Sequence, residues 1–99
     1  MHNILLINPN SSQATTKMMV RIAQAEAPEG CTVVGATARG GPQMIVNEAE
    51  LSAAAHEVEL AWRAAGVPHA GVIVSAFGDP GIDLLRRAAG PGTPVVGIC

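Results

Sequence analysis

Tyrosine is absent from this sequence, and the other aromatic rings number only two, Trp62 and Phe77. Six Lys and Arg are scattered among eight Asp and Glu rather than clustered. The chain therefore lacks both the base-stacking platform and the phosphate-neutralising stripe of a nucleic-acid binder. Cysteine is equally sparse. Cys31 and Cys99 are too few for a disulfide framework and have no metal-ligand spacing, so a reduced, cytoplasmic setting without a bound metal is expected. No apolar run approaches a membrane span, and the Ile4-Leu5-Leu6-Ile7 run behind Met1-His2-Asn3 is too short and too weakly charged at its front for a secretory signal. No repeat, low-complexity tract or long linker interrupts the chain, which leaves one domain over residues 1–99.

What the chain does have is aliphatic side chains and glycine: 48% of its 99 residues are hydrophobic, 11 are Gly, and the net charge is −2. That composition is ordinary for a globular domain. At this size folding hides only about 60 to 70% of the surface of the extended chain. The stability margin is thin, and a partner subunit would widen it.

Four short runs rich in Ile and Val, Ile4 to Ile7, Thr32 to Ala36, Gly71 to Val74 and Pro94 to Ile98, read as strands buried on both faces. Three helical patterns lie between them. The first runs from about Ser12 to Glu26 and carries Ala14, Met18, Ile22 and Ala25 on one stripe. The second, Glu48 to Ala65, is the most regular, with Leu51, Ala54, Ala55, Val58, Ala61, Trp62 and Ala65 at helical spacing. Its start is marked by Asn47 as cap, Glu50 at the capping-box position and Val46 placed to staple onto Leu51. The third is expected from Pro80 to Ala89, with Asp79 as cap and Pro80 at the first helical position.

Strands alternating with helices imply right-handed crossovers and an α/β fold, a parallel four-stranded sheet with flanking helices in flavodoxin-like order. Every strand then ends along one rim, and ligands of such sheets bind outside that rim. The rim collects Asn8 to Ser12, Thr37 to Ile45, Ser75 to Asp79 and the surroundings of Cys99.

Each rim segment admits two readings. Asn8-Pro9-Asn10-Ser11-Ser12 opens the first helix, where free N–H groups and hydroxyls suit a carboxylate or other small anion. Equally, Ser11 or Ser12 can simply cap the helix above an asparagine turn. Arg39-Gly40-Gly41-Pro42 fits a lid or a solvated loop. Ser75-Ala76-Phe77-Gly78 offers backbone amides for a carboxylate or developing oxyanion, or forms a tight turn with Phe77 packed beneath it. The histidines contribute nothing to the rim: His2 precedes the first strand, His56 lies opposite the apolar stripe of its helix, and His69 enters the third strand from the far edge. Ser75, His69 and Asp79 therefore cannot form a triad. Cys31 reads as a small core or edge residue, whereas Cys99 ends the fourth strand on the rim side.

Taken together, Ile7-Asn8-Pro9-Asn10-Ser11, Gly35-Ala36-Thr37-Ala38-Arg39-Gly40-Gly41-Pro42, Ala76-Phe77-Gly78-Asp79-Pro80-Gly81 and Pro94-Val95-Val96-Gly97-Ile98 resemble the aspartate/glutamate/hydantoin racemase superfamily, most of all its hydantoin racemase branch. The resemblance implies two similar lobes facing each other across a cleft and cofactor-independent inversion of a carbon alpha to a carbonyl. One cysteine from each lobe would do the work, a thiolate removing the proton and the opposite thiol returning one. Asn8, Pro9, Asn10, Ser11, Ser12, Ser75, Ala76, Phe77 and Gly78 would then surround a small carboxylate, amino-acid or hydantoin-like ligand.

Two departures qualify that expectation. The family's first-lobe cysteine stands immediately before the Phe of the third-strand motif, and here that position is Ala76, which cannot move a proton. The chain also stops at the fourth strand, so the second lobe, its cysteine and the helix returning to the first lobe are expected to be missing, either because this is a fragment of a longer enzyme or because a natural single-lobe protein finds its missing surface elsewhere. The expected protein is a first lobe, inactive alone, with no catalytic residue beyond a marginal Cys99. A face-to-face homodimer would be one way to rebuild a cleft. Arylmalonate decarboxylases, which resemble the same family and work with one thiol, keep a one-thiol decarboxylase or isomerase open as an alternative. A non-catalytic module binding small carboxylates or dimerising is the third reading.

Overall fold

A computed structural model describes residues 2–40, 47–76 and 80–98. Seven elements alternate among the described residues: β1 (His2–Asn8), α1 (Gln13–Glu26), β2 (Cys31–Thr37), α2 (Glu48–Ala65), β3 (Gly71–Val74), α3 (Ile82–Ala89) and β4 (Val95–Gly97). The strands form one sheet in the order β2-β1-β3-β4, and every pairing is parallel. This is the flavodoxin-like order, in which β1 lies inside and the chain winds outwards to each edge.

Two helices share one sheet face, and the core lies beneath them. Leu5 and Ile7 of β1, Val72 and Val74 of β3 and Val95 of β4 pack with Val58 of α2 and Leu85 of α3 into a single core. The α2 stripe read from the sequence meets this face as expected: Ala54 and Val58 are buried, and Leu51, Ala55, Ala61, Trp62 and Ala65 half-buried. Asn47 caps the helix, its Oδ1 accepting from the Glu50 N–H at 2.8 Å. Val46, the expected staple, lies outside the described residues.

Among the described residues the opposite face carries α1 alone, and the helix is turned about from the orientation its apolar stripe suggests. Ala14, Met18, Ile22 and Ala25 are exposed, Met18 at 49% and Ile22 at 60%. Thr16, Val20 and Ala23 face the sheet instead. Gly35 of β2 explains the choice, since a Cβ there would lie 2.8 Å from the methyl carbons of both Thr16 and Val20. Only glycine allows so close a helix-to-strand approach.

Because α1 packs over β2 and β1, the outer strands are not buried on both faces as their apolar runs suggest. Val96 is 50% exposed, and of the β2 residues only Val33 is buried. The third helix also departs from expectation. It starts at Ile82, with Gly81 as N-cap at φ +76° and Pro80 buried just outside it. A residue at positive φ is not helical, so Gly81 defers the first turn beyond Pro80. Asp79 lies outside the described residues.

Candidate functional site

The rim is organised by a side chain at the end of β1. Asn8 is buried, and its Nδ2 lies 3.0 Å from Asn10 Oδ1, 3.1 Å from Ser12 O and 3.0 Å from Thr16 Oγ1. Its own Oδ1 accepts from the Asn10 N–H at 3.2 Å, and Asn10 Oδ1 accepts from the Ser12 N–H at 2.9 Å. Thr16 Oγ1 sits 3.2 Å from Ser12 O and 2.7 Å from Thr37 Oγ1. One hydrogen assignment satisfies the set: Asn8 and Thr37 donate to Thr16, and Thr16 donates to the Ser12 carbonyl. A buried amide and two hydroxyls thus tie the β1–α1 turn to the end of β2.

This network determines what remains for a ligand. Ser12 caps α1, its Oγ accepting from the Thr15 N–H at 3.2 Å and from the Thr15 hydroxyl at 2.9 Å. Pro9 is fully buried beneath the turn. Among the described residues no partner is found for the Ser11 N–H and hydroxyl or the Asn10 Nδ2. The Gln13 and Ala14 N–H groups open the helix, where the backbone supplies no acceptor. Added to the positive end of the α1 dipole, these donors can hold a carboxylate or a polarised carbonyl.

At the end of β3, the Ser75 N–H donates to the Ile7 carbonyl at 3.0 Å, and its hydroxyl donates to the same oxygen at 3.2 Å. Ser75 is buried, so the hydroxyl belongs to the strand pairing. Ala76 follows, half-buried, at the lip of the rim. Phe77, Gly78 and Cys99, which complete the expected site, lie outside the described residues, as do Gly41 and Pro42 of the candidate lid. Ala38, just before the candidate lid, donates its N–H to the Asn8 carbonyl at 3.0 Å, and within the lid the Gly40 N–H donates to Glu57 Oε2 of α2 at 3.3 Å. A separate cavity of about 420 Å³ opens between β2 and α2, with Arg39 and Glu57 in its wall.

His2 and His56 are exposed, and His69 is bonded to Trp62 near the opposite ends of the strands, so no histidine approaches the rim. Cys31, free and half-buried, begins β2 at that same far end. Sequence reasoning placed Thr37 on the rim but missed Thr16 and the bond between the two. No local signal reveals them, because their partnership depends on α1 crossing β2 at Gly35. No helix among the described residues is long and apolar enough to cross a membrane.

A four-stranded parallel sheet with polar turns gathered on one rim defines an α/β lobe, and comparison with known proteins narrows it further. Residues 4–99 match the sequence profile of the family described as Asp/Glu/Hydantoin racemase, and the chain belongs to that family. A hydantoin racemase of Paenarthrobacter aurescens is 34% identical over 97 residues, which are 96% of this chain and 40% of the relative. The crystal structure of an allantoin racemase from Pseudomonas fluorescens superimposes with a TM-score of 0.90 at 29% identity, over 97% of this chain and 40% of that one. An allantoin racemase from Klebsiella pneumoniae gives 0.85 at 34% identity, over 99% and 40%. The chain therefore spans about 40% of the length of the relatives it matches.

Proposed function

We propose that this chain supplies one lobe of a racemase-type site, holding the polar groups of a small hydantoin-like or amino-acid substrate without itself transferring the alpha proton. The observation that carries this reading is the pairing of donors at Asn10, Ser11 and the first turn of α1, for which the described residues supply no partner, with a methyl group at Ala76. Inversion needs a base on one face of the reacting carbon and an acid on the other. In the family pattern the first lobe's thiol stands where Ala76 stands here, and the nearest hydroxyl, that of Ser75, is committed to the Ile7 carbonyl. An unassisted serine is a poor base in any case. No cofactor is needed, because thiols can be tuned to exchange protons near neutral pH.

Within this proposal Asn8 and Pro9 are the floor of the site, shaping the turn from below. Ser12 closes the helix end, leaving Asn10 and Ser11 as the side chains that reach the ligand. Ser75, Ala76, Phe77 and Gly78 form the opposite wall, where backbone amides would face an enolate-like oxygen. A cytoplasmic setting, with free thiols, belongs to the same reading.

The test is proton exchange in deuterated water with 5-substituted hydantoins, allantoin and amino acids, followed by NMR alongside amide shifts of the protein. The expected result is saturable shifts at Ser11 and Ala76 without exchange above background. Exchange abolished by Cys99→Ser would establish a one-thiol enzyme and overturn the reading. Shifts confined to residues away from the rim would do the same for the ligand site.

A further inference from the structure

The outer edge of β2 is closed over its first half and open over its second. Parallel pairing turns alternate backbone groups outward: the Gly30 carbonyl and the Ala38 N–H bond to β1 residues, so the odd-numbered residues of β2 face away from the sheet. Gln24 takes the first of these groups, donating to Cys31 O and accepting from the Val33 N–H. Beyond it, Val33 O, the Gly35 N–H and carbonyl, and the Thr37 N–H find no partner among the described residues. Gly35 is exposed although methyl groups of Thr16 and Val20 crowd its Cα from α1, so what it shows to solvent is backbone. This edge lies across the sheet from β4, through which the chain leaves, with β1 and β3 between.

A groove flanks the open stretch on each face, and the two differ in chemistry. On the α1 side about 620 Å³ lies beside Gly35 and Thr37, with Lys17 and Arg21 in its wall. Both cations are exposed, and neither forms an ion pair among the described residues. On the α2 side the cavity of about 420 Å³ is walled by Val34, Ala36, Leu60, Ala61 and Ala64, with Arg39 and Glu57 also in its wall. Glu57 is turned to the Gly40 N–H.

We propose that this edge receives an extended peptide of another protein, in which an acidic residue stands between two apolar ones. A strand added to an edge bonds through its main chain and sends its side chains alternately to the two faces. Gly35 and Thr37 face α1, whereas Val34 and Ala36, in register with the core residues Leu5 and Ile7, face α2. Residues opposite each other across a strand pair share a face in either strand direction. The guest residue opposite Gly35 therefore enters the basic groove, and its two neighbours enter the apolar one. A second copy of this chain does not supply such a strand: Glu26, Glu50, Glu59 and Asp83 are its acidic residues with apolar neighbours on both sides, and all four lie in helices. Only the backbone of Thr37 is used, so its hydroxyl stays with Thr16 and the ligand reading of the rim stands or falls separately.

Amide exchange followed by NMR tests the proposal, with a capped pentapeptide carrying valine, glutamate and valine at its centre. The Gly35 and Thr37 amides are expected to exchange freely in the chain alone and to become saturably protected as peptide is added. Lysine in place of the glutamate should weaken binding roughly tenfold or more. Lys17→Glu together with Arg21→Glu, at exposed positions, should reverse that preference, a result that loss of folding cannot imitate. No protection at about 1 mM peptide, equal binding of the two peptides, or a preference indifferent to the paired substitution would overturn the proposal. So would protection that rises with the concentration of the chain alone, which would assign the edge to a second copy. Protection without peptide when the remaining length of a relative is joined to this chain would overturn it too, by assigning the edge to an intrachain segment.

Discussion

The side-chain amide of Gln24 pairs with β2 as a neighbouring strand would: its Oε1 accepts from the Val33 N–H at 2.7 Å while its Nε2 donates to Cys31 O at 3.0 Å. An edge strand otherwise presents such groups as a template for aggregation. Gln24→Ala leaves the Val33 N–H without its partner, and a lost hydrogen bond at a part-buried site costs about 1 kcal/mol. The expected outcome is a lower urea midpoint with an unchanged m-value, together with light scattering that grows with concentration. Gln24→Glu should behave almost as badly, since a carboxylate accepts from Val33 but repels the Cys31 carbonyl.

The single tryptophan reports on the opposite end of the sheet. Trp62 Nε1 donates to His69 Nε2 at 3.1 Å, and because indole nitrogen only donates, His69 Nε2 must accept. The imidazole hydrogen is therefore on Nδ1, which donates to Val67 O at 2.9 Å. The two rings meet edge-on at 76°, and the Arg63 guanidinium, paired with Glu59, lies 5.6 Å from the Trp62 ring centre. His69→Ala removes the acceptor and is expected to shift tryptophan emission and cost about 1 kcal/mol. His69→Gln, which can still accept, should retain most of both. With no tyrosine in the chain, the fluorescence change has one source.

Gly81 packs closely against α2. Its φ of +76° is strained for any residue with a side chain, and a Cβ there would lie 2.8 Å from the Ala55 carbonyl oxygen, a backbone atom that cannot turn aside. Gly81→Ala is expected to destabilise the chain by more than about 1 kcal/mol, the usual cost of forcing a non-glycine residue into such a conformation. Gly92→Ala, where a Cβ meets nothing within 4 Å, is the control and should leave the urea midpoint nearly unchanged.

These contacts also show which features were legible in the sequence. Helix α2 was, from its Asn47 cap to its stripe, because local propensity, capping and burial agree there. The strand order followed from the alternation of strands and helices. The orientation of α1 was not legible: its more hydrophobic side, Met18 and Ile22, lost to Thr16 and Val20. Thr16 is needed beneath Asn8, and Gly35 admits only that face. The start of α3 was misread because an Asp-Pro pair looks like cap and first turn, while the positive φ at Gly81 becomes apparent only when α2 is in place. The described rim segments lie at the strand ends, as the alternation implies, but their bonding was hidden, since Asn8 meets Thr16 and Thr16 meets Thr37 only in the folded sheet.

That clasp yields the prediction tied most closely to the site. Thr16→Val keeps the shape of the side chain but removes its hydroxyl, so Thr37 loses a partner at 2.7 Å and Asn8 loses one of three acceptors. Asn8 retains Asn10 Oδ1 and Ser12 O, so the fold should survive with a loss of about 1 to 2 kcal/mol. Thr37→Val removes the same bond from the other side. If the two hydroxyls act through each other, the double variant costs less than the sum of the singles, as a double-mutant cycle on urea midpoints will show. The turn bearing Ser11 rests on this clasp, so either variant should also weaken any hydantoin-induced shift at the Ser11 amide. Additive stabilities with undiminished ligand shifts would make Thr16 and Thr37 independent packing residues, and the turn would owe its shape to Asn8 and Asn10 alone.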